Sequence, residues 1–87
     1  MTTATSYNGW KNYTTWNINL WLMNDEPLYR ACVEAAEDCN RRGVVMRGLA
    51  AKHFCQRYIG ALTPDGARLS AKNIDWKAIA DSIMECA

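Results

Sequence analysis

The hydrophobic positions recur at helical spacing and divide the chain into four segments. The first covers residues 12–23, and Thr14 or Thr15 is a suitable N-cap residue. Its apolar residues fall on one wide face, made of Trp16, Leu20 and Met23 and widened by Ile18, Trp21 and Leu22. A stripe of this width predicts a central, largely buried helix.

The second helix is predicted from the Asn24–Pro27 stretch to about Asn40. An Asn or Asp cap, acids in the first turn and a proline within it all suit a helix N-terminus. The apolar stripe consists of Leu28, Cys32, Ala35 or Ala36, and Cys39. Gly43 can adopt the left-handed conformation that ends a helix, and the two basic residues before it match the negative end of the helix dipole.

A third helix is predicted over residues 44–59. Its apolar face is made of Ala51, Phe54, Cys55, Tyr58 and Leu62. Gly48 either weakens this helix or permits close packing. Gly60 and the Thr63–Gly66 turn then break the chain, and this break is also compatible with the tip of a short hairpin.

The fourth helix has the clearest start signal. Asp75 is the predicted N-cap, and Ile74 and Ile79 occupy the two positions of a hydrophobic staple. The buried stripe is predicted to be Trp76, Ile79, Ala80, Ile83 and Met84. The four segments predict an all-α fold: a small single-domain bundle of three to four helices over residues 1–87, with an irregular, extended N-terminal arm over residues 1–11.

Composition narrows the class of protein. The chain has 87 residues and a net charge of +1, which favours neither a phosphate-binding basic domain nor an acidic DNA mimic. No apolar run is long enough to span a bilayer, and the first residues lack a signal-peptide pattern, so we expect a cytoplasmic protein that does not interact with membranes.

The cysteines and the histidine do not predict a catalytic or metal site. Cys32, Cys39, Cys55 and Cys86 include no C-x-x-C pair, and His53 lies outside the usual ligand spacing from Cys55. We interpret the cysteines as buried free thiols. No phosphate-binding glycine loop or nucleophile motif is present, so we expect no enzymatic activity, no metal and no cofactor.

The densest feature is the aromatic run over residues 7–21. Large rings build small cores, and they also anchor interfaces. Core packing is the main interpretation, and the alternative is that Tyr7 and Trp10, together with Lys11, form a protein-binding arm. An aromatic platform for single-stranded nucleic acid is a third option, disfavoured because Lys11 is the only cation in the run.

Charged residues offer two further candidate surfaces. Glu34, Glu37 and Asp38 share one helix face, and the spacing predicts ion pairs of Glu37 with Arg41 and of Asp38 with Arg42. This acidic face is either simply solvated or a contact for a basic partner. An alternative nucleic-acid site would use the cations from 41 to 57, but these rotate around a helix and do not form a continuous stripe. They are Arg41, Arg42, Arg47, Lys52 and Arg57.

The stretch from Tyr7 to Asn24 follows the pattern YNGWxNYxTWNxxLWxxN. It resembles a signature of small uncharacterised proteins from bacteriophages, plasmids and related mobile elements. The resemblance covers about the first third of the chain, and Asp75-Trp76 with Ala78–Ala80 is similar to the ending expected of such proteins. It implies no catalytic residues. By analogy it implies a setting in which small proteins disarm host defences, as anti-CRISPR proteins do.

The sequence therefore leads to one hypothesis and two alternatives. The hypothesis is a non-enzymatic inhibitor of a bacterial host-defence system, most plausibly an anti-CRISPR protein that occludes a Cas effector complex through protein–protein contacts. The first alternative is a nucleic-acid-binding accessory protein that uses the basic residues above. The second is an oligomerising structural domain, since small domains gain stability by association.

Overall fold

The computed structural model describes residues 9–87, and that range contains four α-helices. They are α1 (Tyr13–Asn24), α2 (Glu26–Arg42), α3 (Gly48–Tyr58) and α4 (Trp76–Met84). The predicted all-α bundle is confirmed. Within residues 9–87, the only β-type pairing is an isolated antiparallel bridge between Leu62 and Arg68. No helix in this range combines the length and apolar character needed to cross a membrane.

Three of the four described helices begin at a side-chain cap. Asn12 accepts from the Thr15 amide at 2.9 Å, Asp25 from the Leu28 amide at 3.3 Å, and Asp75 from the Ala78 amide at 3.1 Å. The predicted caps of α2 and α4 are therefore confirmed, whereas the choice of Thr14 or Thr15 for α1 was wrong.

Asn12, and not Thr15, caps α1 because the Thr15 hydroxyl bonds to the start of α4. The Thr15 hydroxyl accepts from the Asp75 amide at 3.0 Å, and the Asn12 Nδ2 donates to the Asn73 carbonyl at 2.7 Å. These two bonds join the start of α1 to the start of α4.

Helix α4 occupies the centre of the bundle and packs against each of the other three helices. The prediction that α1 is the central helix was wrong. The buried face of α1 consists of Thr15, Asn17, Ile18 and Leu22, while Trp16, Leu20 and Met23 are half-buried. This face packs against α2 and α4. It includes two polar residues, Thr15 and Asn17, that the apolar pattern could not identify. The core cluster is made of Ile18, Leu22, Cys32, Ala51, Cys55, Leu69, Ile74, Ile79, Ala80 and Ile83.

Asn17 ties α1 to the loop that connects α3 and α4. Its Oδ1 accepts from the buried Thr63 hydroxyl at 2.6 Å, and its Nδ2 donates to Asp65 Oδ2 at 2.9 Å. The Trp21 indole donates to the same Asp65 oxygen at 2.9 Å. These hydrogen bonds lower the pKa of Asp65. Because its polar atoms are all paired, a buried asparagine is tolerated in this core.

Helix α3 begins four residues later than the sequence predicted. Gly43 adopts a left-handed conformation (φ 71°) that ends α2, and residues 44–47 then run without helical structure to Gly48. Gly48 permits close packing, as one of the two sequence interpretations held. A Cβ atom there would lie 3.3 Å from both the Lys77 amide nitrogen and the Trp76 Cβ. The start of α3 is therefore pressed against the start of α4.

Candidate protein-binding surface

Residues 44–47, which join α2 to α3, form no helix, turn or bend. The Val44 amide donates to the Cys39 carbonyl at 2.9 Å, which closes the end of α2. At the other end, Arg47 has extended dihedral angles (φ −96°, ψ 165°) before α3 begins. Two consecutive β-branched valines favour this conformation over a helix.

Large apolar side chains are exposed along this segment and the first turn of α3. Val45 is 70% exposed, Leu49 is 66% exposed, and Val44 is nearly half exposed. We name these three residues the linker surface. A group of exposed aliphatic side chains of this size marks a candidate interaction site, whereas a single exposed leucine does not.

A groove lies on each side of the linker. The first, about 510 Å³, is bounded by the end of α2 and by α3, and Ala35, Cys39 and His53 contribute to its walls. The second, about 600 Å³, is bounded by the start of α4, including Lys77 and Asp81. Residues 44–47 line both grooves, so the linker is a ridge between two depressions that can receive side chains.

Positive charge is in excess around the linker. Asp38 accepts from both Arg41, at 3.3 Å, and Arg42, at 3.1 Å. Lys77 forms an ion pair with Asp81 at 3.2 Å. Arg47 has no ion pair with any residue from 9 to 87. Three arginines therefore lie near one carboxylate that pairs with only two of them, and the linker region attracts negative charge.

Arg47 also occupies the N-cap position of α3 without making a side-chain cap hydrogen bond. Arginine has no acceptor for the free N–H groups of the first turn, and its charge opposes the positive end of the helix dipole. The other three described helices use Asn or Asp at this position. A residue that is unfavourable for local structure and exposed is a candidate for a binding role.

Part of the predicted aromatic arm lies outside the described residues. Tyr7 lies outside the described residues, and Lys11 is exposed. Trp10 is half-buried and packs against the core cluster. Trp16 and Trp21 are also half-buried. These placements agree with core packing as the main role of the run.

The predicted acidic face is present, but its pairing differs. Glu34 and Glu37 are exposed and Asp38 is half-buried. The Asp38–Arg42 pair is confirmed, whereas Arg41 pairs with Asp38 and not with Glu37. The i,i+3 separation offers Arg41 a closer acceptor, and its guanidinium can share a carboxylate already held by Arg42. The negative charge of Asp38 is therefore paired with the arginines beside the linker and adds little to a separate acidic surface.

The basic residues divide into two groups that are separated along α3, whereas the sequence predicted only that they form no continuous stripe on one helix. Arg41, Arg42 and Arg47 lie around the linker. Arg57 lies near the opposite end of α3, ten residues or roughly 15 Å along the helix axis from Arg47, with its guanidinium 5.9 Å from the centre of the Tyr58 ring. Lys52 is half-buried between the two groups.

The thiol groups do not form a reactive site. Cys32, Cys39 and Cys55 are buried free thiols, as predicted, and Cys86 is half-buried. Burial, with a smaller contribution from the neighbouring thiols, raises the pKa of both Cys32 and Cys55 to about 12. Residues 9–87 contain no group of three or more His, Cys, Asp or Glu side chains arranged to hold a metal ion.

The linker surface was not predicted from the sequence because residues 44–47 were assigned to a helix. One signal was present: the glycine that ends α2 is followed at once by two β-branched residues that are absent from the predicted apolar face of α3. That combination favours an extended, solvent-facing segment.

Comparison with known proteins relates the chain to one family. Residues 3–86 match the model of a family of unknown function, DUF7249. Neither the curated proteins nor the solved structures contain a match to the chain.

Proposed function

The chain belongs to the DUF7249 family, and we propose that it acts without catalysis, by binding a protein partner through the linker surface. The observation that carries this proposal is the exposure of Val45 (70%) and Leu49 (66%) on a ridge between two grooves. Interfaces place aliphatic residues at the centre and charged residues at the rim, which is the arrangement around residues 44–49.

The three apolar side chains of the linker surface provide part of the free energy that a specific contact needs. Full burial of a Val or Leu side chain contributes ~1.5–3 kcal/mol, so three that are about half to two-thirds exposed offer roughly 3–5 kcal/mol. Association costs at least ~4 kcal/mol in lost freedom of motion, so the grooves and the arginines must contribute the rest.

We further propose that the partner is a bacterial host-defence complex, with a Cas effector as the first candidate, and that the chain inhibits it by steric occlusion. This part rests on the resemblance of residues 7–24 to small proteins of mobile elements, together with the size of the chain. The family match carries no function of its own.

The test is inhibition of DNA cleavage by purified Cas effector complexes and, in parallel, by restriction enzymes, measured with the wild-type chain and two variants. Leu49→Glu places a charge on the linker surface, in the first turn of a helix where a carboxylate is tolerated. Leu62→Glu is the matched control, because Leu62 is 50% exposed and lies in the loop after α3.

We expect the wild-type chain and Leu62→Glu to inhibit one of these enzymes and Leu49→Glu to be weaker by about tenfold or more. Equal inhibition by Leu49→Glu would reject the linker surface as the contact. Inhibition of none of the enzymes would reject the host-defence setting. Binding to free DNA that weakens steeply with salt would favour the nucleic-acid alternative instead.

A further inference from the structure

The backbone of the linker has one edge that faces away from α2. In an extended segment, the N–H and C=O groups of alternate residues point to opposite edges. The Val44 amide points towards α2, where it donates to the Cys39 carbonyl. The opposite edge therefore carries both backbone groups of Val45 and the amide of Arg47. Within residues 9–87, none of these three groups has a hydrogen-bond partner.

An edge of this kind is a template for an added strand. Main-chain hydrogen bonds would give affinity, and alternate side chains of the incoming strand would enter pockets on the two sides. The groove that residues 44–47 form with Lys77 and Asp81 includes no residue of α2 and can receive some of them. The exposed Val45 side chain offers a β-branched neighbour across the new strand pair.

The charges around the linker select the chemistry of the incoming strand. Asp38 pairs with Arg41 and Arg42 and leaves Arg47 without an ion pair among the described residues, so an acidic segment gains attraction and a basic one is repelled. A carboxylate on that segment can also accept from the free N–H groups at the start of α3, which lacks a side-chain cap.

We infer that the linker surface binds an extended, acidic segment of the partner, which pairs as an added β-strand with the free edge at Val45 and Arg47. The inference rests on the proposed function and specifies the occupant of the same surface. Two other occupants lack the required charge. A second copy of the chain would bring the same arginines together, and residues 1–8 of this chain contain no Asp or Glu.

The test uses synthetic eight-residue peptides titrated into the ¹⁵N-labelled full-length protein and followed by amide chemical shifts. The first peptide alternates valine and aspartate, and the second alternates valine and lysine. Two further versions of the acidic peptide are N-methylated, one on the edge that would face the linker and one on the opposite edge. N-methylation removes a donor, so only the first of these should block strand pairing.

The acidic peptide should shift the amides of Val45, Arg47 and Leu49 and bind about tenfold or more tightly than the lysine peptide. Methylation of the linker-facing edge should weaken binding about tenfold, and methylation of the opposite edge should not. Arg47→Gln should weaken the acidic peptide several-fold, with Arg57→Gln as the unaffected control.

The inference is overturned by equal affinity for the acidic and lysine peptides, by equal effects of the two methylated versions, or by an absence of shifts at millimolar peptide. A concentration-dependent dimer in sedimentation velocity that Val45→Glu dissociates would also overturn it in favour of a second copy. The proposed function has a separate readout. If Leu49→Glu abolishes enzyme inhibition while the peptides fail, the surface binds a partner that is not an acidic strand.

Discussion

Replacing Arg47 with aspartate should stabilise the folded protein and abolish binding of an acidic segment. Arg47 stands at the N-cap of α3 with extended dihedral angles (φ −96°, ψ 165°). Asp25, which caps α2, has a similar backbone conformation (φ −96°, ψ 120°). An aspartate at position 47 can therefore accept from the first turn of α3 without a change in the backbone.

The expected gain has two sources. A good N-cap residue contributes ~0.5–2 kcal/mol relative to one without an acceptor. Replacing a positive charge by a negative one at the helix N-terminus adds roughly 0.3–1 kcal/mol, because the two charges interact with opposite sign with the dipole. Arg47 is exposed and makes no ion pair with the described residues, so little is lost in return. The sum is about 1–3 kcal/mol, or roughly 4–24 °C in Tm for a domain of this size.

The assay is urea unfolding followed by circular dichroism, with two controls. Arg47→Ala removes the unfavourable charge but supplies no acceptor, so it should gain less than the aspartate variant. Arg57→Asp makes the same charge change near the C-terminus of α3, where a negative charge is unfavourable, and it should be slightly less stable than the wild type.

If Arg47→Asp is no more stable than Arg47→Ala, an aspartate at position 47 does not cap α3 and the expected gain is refuted. A variant that is more stable yet does not bind the acidic peptide would identify Arg47 as a residue retained for binding at the expense of stability. A variant that is more stable and binds normally would remove Arg47 from the binding surface.

Three further predictions concern packing, pH and thiol reactivity. Gly48→Ala should destabilise the fold by about 1 kcal/mol in the same urea assay, because its Cβ meets the backbone of α4 at 3.3 Å; an increase in stability would show that α4 can yield. Hydrogen bonds from Asn17 and Trp21 lower the pKa of Asp65, so the stability they provide is present above its unfolded value of 3.8 and is lost as the pH falls through the lower folded value. The wild type should therefore lose more stability than Asp65→Asn between neutral pH and about pH 3, and parallel pH curves for the two proteins would contradict this. Native protein treated with iodoacetamide should be alkylated at Cys86 before Cys55, since Cys86 is half-buried while burial raises the pKa of Cys55 to about 12; mass spectrometry of the digest would detect the reverse order if the core opens.

Local signals correctly predicted the caps of α2 and α4 and the end of α2, but not the cap of α1. Asp25 and Asp75 begin their helices and Gly43 ends α2, because caps and left-handed glycines act over three or four residues of sequence. The start of α3 was placed too early because no such signal marks it. The candidate site could not be predicted for the same reason, since a helix over residues 44–47 would have no free strand edge.

The sequence by itself determined the helical class, the caps of α2 and α4 and the glycine that ends α2. These follow from interactions between residues close in the chain. Only the tertiary structure decided that α4 is the central helix, that Asn17 and Thr63 are buried together, and that Val45 and Leu49 face solvent. The physical reason is that burial is a property of pairs of surfaces. An apolar residue is covered only if another element reaches it, and α4 approaches α3 at Gly48 but leaves the linker uncovered.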